Sequence, residues 1–500
     1  MNRVMHERRL KWFLAAAAVA ASVSAGVAVF VRWALERVYV SIPICPPTRR
    51  QLEEEDLDGN PLYRAVPALR GRFAYRQLGD FPTPVHRFTA RFEGQEIAFW
   101  VKREDLCSPL YGGNKVRTLQ YLLASCEAMG KEPHAIIESG THFYMIGTGG
   151  SNLVVATKVY AAALGLPQEW FRSFAFFDER EMDNTMNYLS SLSFPGHQVL
   201  YNTGGWMLLS AIIGRARTGA RFPGIMMPGG NNAVGVLGQL TGAMELAEQI
   251  ENGEVPDPDA IVVALGSMCT VTGLILGVAL ARELGIPAFR RPGFRIHAQP
   301  VNPVVMMGLR LFRFHTSLTL PFSVGRGVKE NAAAITACGG PDIFDAAVRV
   351  MEEELVISYD AAIVGKYGAH SRASRDAKTF YDSFVQPPPG EKGLWLCGHF
   401  TAKSFALLLR LLKAAQTSGR SKKHFLFWQT KSFVQPLGPK DEWEAFQEQC
   451  KSSPALQQWA VVGGVTGHPD SIGSTESDQS LLEGPQQYRS LMTPLLHSVS

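Results

Sequence analysis

The residues of this chain best suited to chemistry are Gly112-Gly113-Asn114-Lys115-Val116-Arg117. Lysine is seldom buried without a task, because an ammonium taken out of water is costly unless it is paired or sheds its proton. A desolvated neutral amine is a nucleophile, and paired glycines let the backbone come close to a ligand. The same residues also suit an exposed lysine at a helix start after a Gly-Gly turn, and spacing alone does not choose. Other reactive types offer less. His142, His297 and His315 lack metal-ligand spacing, and the acidic run Glu53-Glu54-Glu55-Asp56 suits a solvated linker. The seven cysteines (Cys45, Cys107, Cys126, Cys269, Cys338, Cys397 and Cys450) are odd in number and form no CxxC pair. That pattern suits reduced thiols or small buried hydrophobes and implies neither a disulfide framework nor a zinc site.

What positions the lysine is an alternation of strands and helices. Ile97-Ala98-Phe99-Trp100-Val101, Ala135-Ile136-Ile137 and Ile261-Val262-Val263-Ala264-Leu265 read as buried strands, while 116–129, 153–164, 234–250 and 272–284 read as amphipathic helices. Such alternation predicts open parallel sheets covered by helices on both faces. About 380 residues of it exceed one sheet and predict two α/β domains with a cleft between them. The expected division is a large domain from 71–117 and 241–445 and a small one from 118–240. Apolar residues make up 46% of the 500, enough for a large core. The net charge of +4 is spread through the chain, with no basic stripe, so no nucleic-acid partner is expected.

The ends read differently. A basic flank, 1–11, precedes an uncharged stretch, 12–31, which as a helix spans roughly 30 Å, the thickness of a bilayer's hydrocarbon core. It reads as a single-pass transmembrane signal anchor into a lipid bilayer. A secretory signal cleaved near Val23-Ser24-Ala25 and an organellar (for instance mitochondrial) presequence remain open, and flanking charges do not fix orientation. Residues 32–70 read as a proline-bearing linker, and 446–500, rich in Ser, Gly, Gln and Pro, as a disordered tail.

Several motifs in order resemble one enzyme family. They are Phe81-Pro82-Thr83-Pro84-Val85-His86, Val101-Lys102-Arg103-Glu104-Asp105-Leu106 and Tyr111 through Leu119. They continue through Gly149-Gly150-Ser151-Asn152, Pro228 through Gly235, Gly266 through Leu274, Gly365-Lys366-Tyr367-Gly368 and Phe400-Thr401-Ala402-Lys403-Ser404. Together they resemble the D-cysteine desulfhydrase and 1-aminocyclopropane-1-carboxylate (ACC) deaminase family, which uses pyridoxal 5'-phosphate (PLP) on the tryptophan-synthase-β fold. The resemblance covers roughly 75–435. It implies a PLP lyase or deaminase that converts a small amino acid to a 2-oxo acid and ammonia, with hydrogen sulfide when the substrate is D-cysteine. Lys115 is then the Schiff-base lysine and proton shuttle. Ser151 and Asn152 meet the substrate carboxylate and the cofactor's ring oxygen, and Tyr367 is a retained catalytic tyrosine. Gly266, Ser267, Met268, Cys269 and Thr270 form the phosphate loop, where helix-start amides favour an anion. Thr430 stands near the pyridine nitrogen. A homodimer is also implied.

The chain departs from that pattern at several positions. Met268-Cys269 occupy the centre of a loop usually rich in glycine. Thr118 replaces a basic phosphate contact, Gly150 a glutamine, Leu153 a polar residue and Phe400 a tyrosine. The usual His-Thr-Gly-Gly reads Gln429-Thr430-Lys431-Ser432, and Thr141 through Met145 suggest an insertion. Cys269 at a helix start is either a low-pKa thiol or a buried small residue. Two functional readings therefore stand: an active lyase of altered specificity, or a membrane-tethered, catalytically impaired pseudoenzyme that keeps the fold for binding or regulation.

Overall fold

A computed structural model of the chain describes residues 32–33, 35–92, 94–130, 143–176, 184, 187–188, 190–191, 194, 198–201, 224–419, 423–432, 434–437 and 492–494. The predicted span 12–31, the run 135–137, His142 and nearly all of the tail 446–500 lie outside these residues. Among the described residues no helix is long and apolar enough to cross a membrane.

The strands of the two large sheets, in chain order, are β1 (Val85–Phe92), β2 (Gln95–Arg103), β3 (Phe143–Thr148), β4 (Phe171–Phe176), β5 (Gln198–Tyr201) and β6 (Gly224–Met226). They continue with β7 (Ala260–Leu265), β8 (Arg295–Pro300), β9 (Leu355–Ile357), β10 (Val385–Gln386) and β11 (Phe425–Gln429). β3 through β6 form a four-stranded parallel sheet in the order β5-β4-β3-β6. The remaining seven form a second sheet, β10-β1-β2-β11-β7-β8-β9. From β2 to β9 its neighbours run parallel, and its central strands read as unbroken apolar runs because helices cover both faces. The expectation of purely parallel sheets needs one correction. β1 pairs antiparallel with both β2 and β10. Its half-exposed alternation, with Phe88 and Ala90 buried and Arg87 and Arg91 outside, suits an edge hairpin, and Gly94 turns it with a φ of +79°.

Three helices begin at the cavity, α1 (Lys115–Gly130), α2 (Asn152–Ala163) and α4 (Cys269–Glu283), while α3 (Ala233–Glu251) packs against α1 and α4. α1, α3 and α4 lie side by side because glycines let them approach closely. A Cβ on Gly242 would stand 2.8 Å from Arg117 Cδ, and one on Gly273 or Gly277 would collide with Gln239 or Ala243. Buried charges lock α1 in place. Arg117 bonds Glu104 and Glu245, each at 2.6 Å, and Lys102 Nζ donates to Glu245 at 2.6 Å.

The stretch read as a linker is instead packed. Thr48 caps a helix at Arg49–Glu54, and Asn60 caps another at Pro61–Ala65. Val38, Tyr39, Ile42, Leu62 and Leu69 are buried, and Tyr39 meets Phe322 with ring centroids 5.5 Å apart. Glu54 and Glu55 pair with Arg76 at 2.7 and 2.8 Å, so the acidic run is only partly solvated. The apparent insertion also resolves. Phe143 and Met145 are buried residues of β3 that pack the smaller sheet, while Thr141 lies outside the described residues.

Candidate active site

Parallel strands deliver their following loops to one end of a sheet, and ligands gather there. The chain after β3 supplies Gly150, Ser151 and Asn152, and that after β7 supplies Gly266 through Thr270. The chain after β8 supplies Asn302, and that after β11 supplies Thr430. All except Cys269 line one cavity of about 270 Å³, together with Asn114, Lys115, Gly229, Tyr367, His399 and Phe400. Ten of the eleven residues singled out for the site and for the Phe400 departure thus share a single cavity.

Lys115 begins α1, and its Nζ donates to Gly229 O at 3.2 Å. Burial pushes its amine pKa down, partly opposed by the Cys269 thiol, so the neutral form gains weight. Gly113, with φ at +102°, lets this loop lie against the end of β11: a Cβ there would stand 2.6 Å from Thr430 O. Asn114 N donates to that same oxygen at 3.3 Å.

The other wall is the start of α4. Met268 is its N-cap residue with φ at +72°, and no side chain caps the first turn. The amides of that turn therefore face the cavity end without an intrahelical partner, as an anion site requires. Asn114 Nδ2 donates to Thr270 Oγ1 at 2.9 Å, which orients that hydroxyl. Gly229 completes the cradle. Its φ is +67°, and a Cβ on it would collide with Ser267 Oγ and stand 3.3 Å from Lys115 Nζ. An amine facing a bare helix start across glycine backbone suits a cofactor that carries both an aldehyde and a phosphate.

Two residues assigned near the phosphate lie elsewhere. Cys269 does not line the cavity. Its thiol lies 3.7 Å from Gly230 O and 3.8 Å from Thr118 Oγ1, and burial pushes its pKa up to about 11. It is the buried small residue, not a reactive thiolate, because one step along a helix turns a side chain by about 100°. Thr118 is likewise buried and accepts from Gln239 Nε2 at 2.8 Å.

Phe400 lines the cavity beside Gly266, with its Cε1 3.1 Å from where a Cβ there would be. It stacks on His399 at 4.9 Å, and the His399 ring meets Tyr367 edge-on, also at 4.9 Å. Asn114 belongs to the motif around Lys115, whereas Asn302 and His399 lie outside every motif read from the sequence. Position just past a parallel strand is a signal for Asn302; His399 shows none beyond adjacency to Phe400. His297 and His315 do not line the cavity, and burial lowers both to about 4.

Comparison with known proteins agrees with this geometry. Residues 76–362, more than half of the chain, match the family described as pyridoxal-phosphate dependent enzyme. The D-cysteine desulfhydrases of Salmonella paratyphi A and Salmonella newport are each 29% identical over 221 residues, covering 41% of this chain and 61% of theirs. The match thus spans about three-fifths of the length of these relatives. The crystal structure of an ACC deaminase homologue is 22% identical, covers 73% of this chain and 94% of its own, and superposes with a TM-score of 0.50, which speaks for the fold. A lysine amine facing an uncapped helix start, in a two-sheet α/β chain so matched, has one assignment: this chain belongs to the pyridoxal-phosphate dependent enzyme family.

Proposed function

We propose that the chain is a PLP-dependent lyase or deaminase acting on a small amino acid, as a D-cysteine desulfhydrase or an ACC deaminase does. The observation that carries this reading is the placement of Lys115 Nζ in one cavity with the bare amino terminus of α4. When bound, the cofactor supplies an aldehyde carbon for amines and a conjugated ring that withdraws electrons from the substrate's Cα.

The chain's own residues do the rest. The lowered pKa of Lys115 leaves its amine free of a proton more often, so it can bond a carbonyl carbon and, once displaced, take or return a proton. The first-turn amides of α4, with Ser267 and Thr270, hold a phosphate. Ser151 and Asn152, at the start of α2, receive the substrate carboxylate and the cofactor's ring oxygen. The Thr430 hydroxyl, being neutral, leaves a facing pyridine nitrogen unprotonated, and Tyr367 offers a phenol for proton transfer near the substrate. Residues 12–31 tether this body to a membrane.

One observation favours the second reading, a binding protein with impaired catalysis: Phe400 has no hydroxyl at the cavity wall where the resemblance expects a tyrosine. The full-length protein, purified with PLP, tests both. The expected result is a visible absorbance band of lysine-bound cofactor, absent in Lys115→Ala, with 2-oxo acid released from D-cysteine or ACC. A wild-type protein with no band sinks the cofactor reading, and a band without turnover of either amino acid favours the second.

A further inference from the structure

Lys431 follows Thr430 at the end of β11 and is 2% exposed. Its Nζ donates to Asn187 Oδ1 at 2.9 Å and to Asn152 Oδ1 at 3.3 Å. It also lies 3.4 Å from Tyr111 OH and 5.4 Å from the centre of that ring. Asn152 Oδ1 receives two further donors, Tyr111 OH at 2.8 Å and Asn187 Nδ2 at 2.7 Å. An ammonium can only donate, so the Asn152 atom it touches is the carbonyl oxygen. With three donors converging on that oxygen, the amide nitrogen is the atom left to meet a ligand in the cavity that Asn152 lines.

The same segment also grips the loop before Lys115, through its backbone and the Ser432 hydroxyl. Lys431 bridges Gly113, Asn114 N donates to Thr430 O at 3.3 Å, and Gly112 N donates to Ser432 Oγ at 3.1 Å. One residue thus joins the loop that aims Lys115 to the start of α2, which belongs with the smaller sheet. We propose that Lys431 is a positioning residue for the cofactor: it fixes Asn152 as a donor to an anionic ring oxygen and places a buried positive charge behind that donor.

The proposal rests on the PLP reading above. A buried charge near the bound cofactor disfavours its protonation. It also strengthens a hydrogen bond to an anionic oxygen, because the interior screens charge poorly.

Full-length wild type, Lys431→Met and Lys431→Gln are compared by PLP titration and by the pH dependence of the lysine-bound absorbance. Lys431→Met is expected to retain PLP roughly tenfold less tightly. The pH midpoint of its absorbance change should rise by about one unit, the direction that loss of a positive charge requires. Lys431→Gln, which keeps reach and hydrogen bonds, should shift the midpoint similarly while losing less affinity. A purely space-filling lysine would lower thermal stability and leave the midpoint unchanged, and that result overturns the proposal.

A wild-type protein without the absorbance would defeat the cofactor reading instead. The orientation claim is then decided by crystal structures of wild type and Lys431→Met. It fails if Asn152 keeps its carbonyl toward Asn187 and Tyr111 in the variant. Should Lys431→Met fail to fold, Lys431→Gln carries the same midpoint test.

Discussion

The Lys115 amine reaches across the cavity to the carbonyl of Gly229, 3.2 Å away, a residue that no side chain could replace. A Cβ at Gly229 would strike Ser267 Oγ, and φ of +67° is a left-handed conformation that disfavours any side chain by about 1–2 kcal/mol. Gly229→Ala is therefore expected to lower the melting temperature by several degrees and to weaken PLP binding at least tenfold. Cofactor titration of a folded variant checks this. Undiminished affinity would mean that the Gly229 face is not part of the cofactor's cradle.

Met268 holds a similar backbone, φ +72°, with a side chain attached. Met268→Gly relieves about 1–2 kcal/mol of left-handed strain but gives up a buried methionine, about 1.5–3 kcal/mol. At mid-range the second effect wins, so global stability should fall by about 1 kcal/mol. Phosphate affinity should move the other way, because the loop then presents bare amides to the anion. Inorganic phosphate binding measured by calorimetry, tighter in the variant, is the expected result. Weaker binding would show that the Met268 side chain supports the loop instead of crowding it.

Phe400→Tyr adds a hydroxyl to a ring that already lines the cavity beside Gly266. A single polar group at a reacting centre commonly changes a barrier by a few kcal/mol. If the remaining groups are competent, D-cysteine turnover should rise about tenfold or more with little change in melting temperature. An unchanged rate in cofactor-loaded protein argues that this wall does not face the reacting atoms.

These predictions draw on a site that was partly legible in the sequence. The start of α1, the body of α4 and the run of β7 followed from apolar periodicity and glycine placement, which are local, although α4 begins at Cys269, three residues before the stretch 272–284. The failures are non-local. Gln51 packs because its amide reaches Ala124 O and Glu127 across more than seventy residues, so a proline-bearing stretch with a charge run looked like a linker. Lys431 read as one odd residue in a motif because its partners, Tyr111, Asn152 and Asn187, come from distant segments. Cys269 shares the loop of Met268 and Thr270, yet helix rotation turns it toward Thr118. Neighbours in sequence need not share a face.

The buried network behind α1 makes a prediction about acid. Burial alone would push the Glu245 carboxyl up, but Arg117 and Lys102 outweigh it and hold the pKa at about 2. A carboxyl depressed in the folded state stabilises the fold above its unfolded pKa of about 4.3 and loses that contribution as pH falls toward 2. Glu245→Gln removes the titration and leaves Lys102 and Arg117 short of an anion. The expected loss is about 3–5 kcal/mol at pH 7, since one partner of a buried network is taken away. The difference from wild type should narrow steadily between about pH 4.5 and 2.5. Denaturant unfolding at several pH values checks this. A difference that stays constant across the range would mean that Glu245 contributes by packing and hydrogen bonding alone, not through its charge.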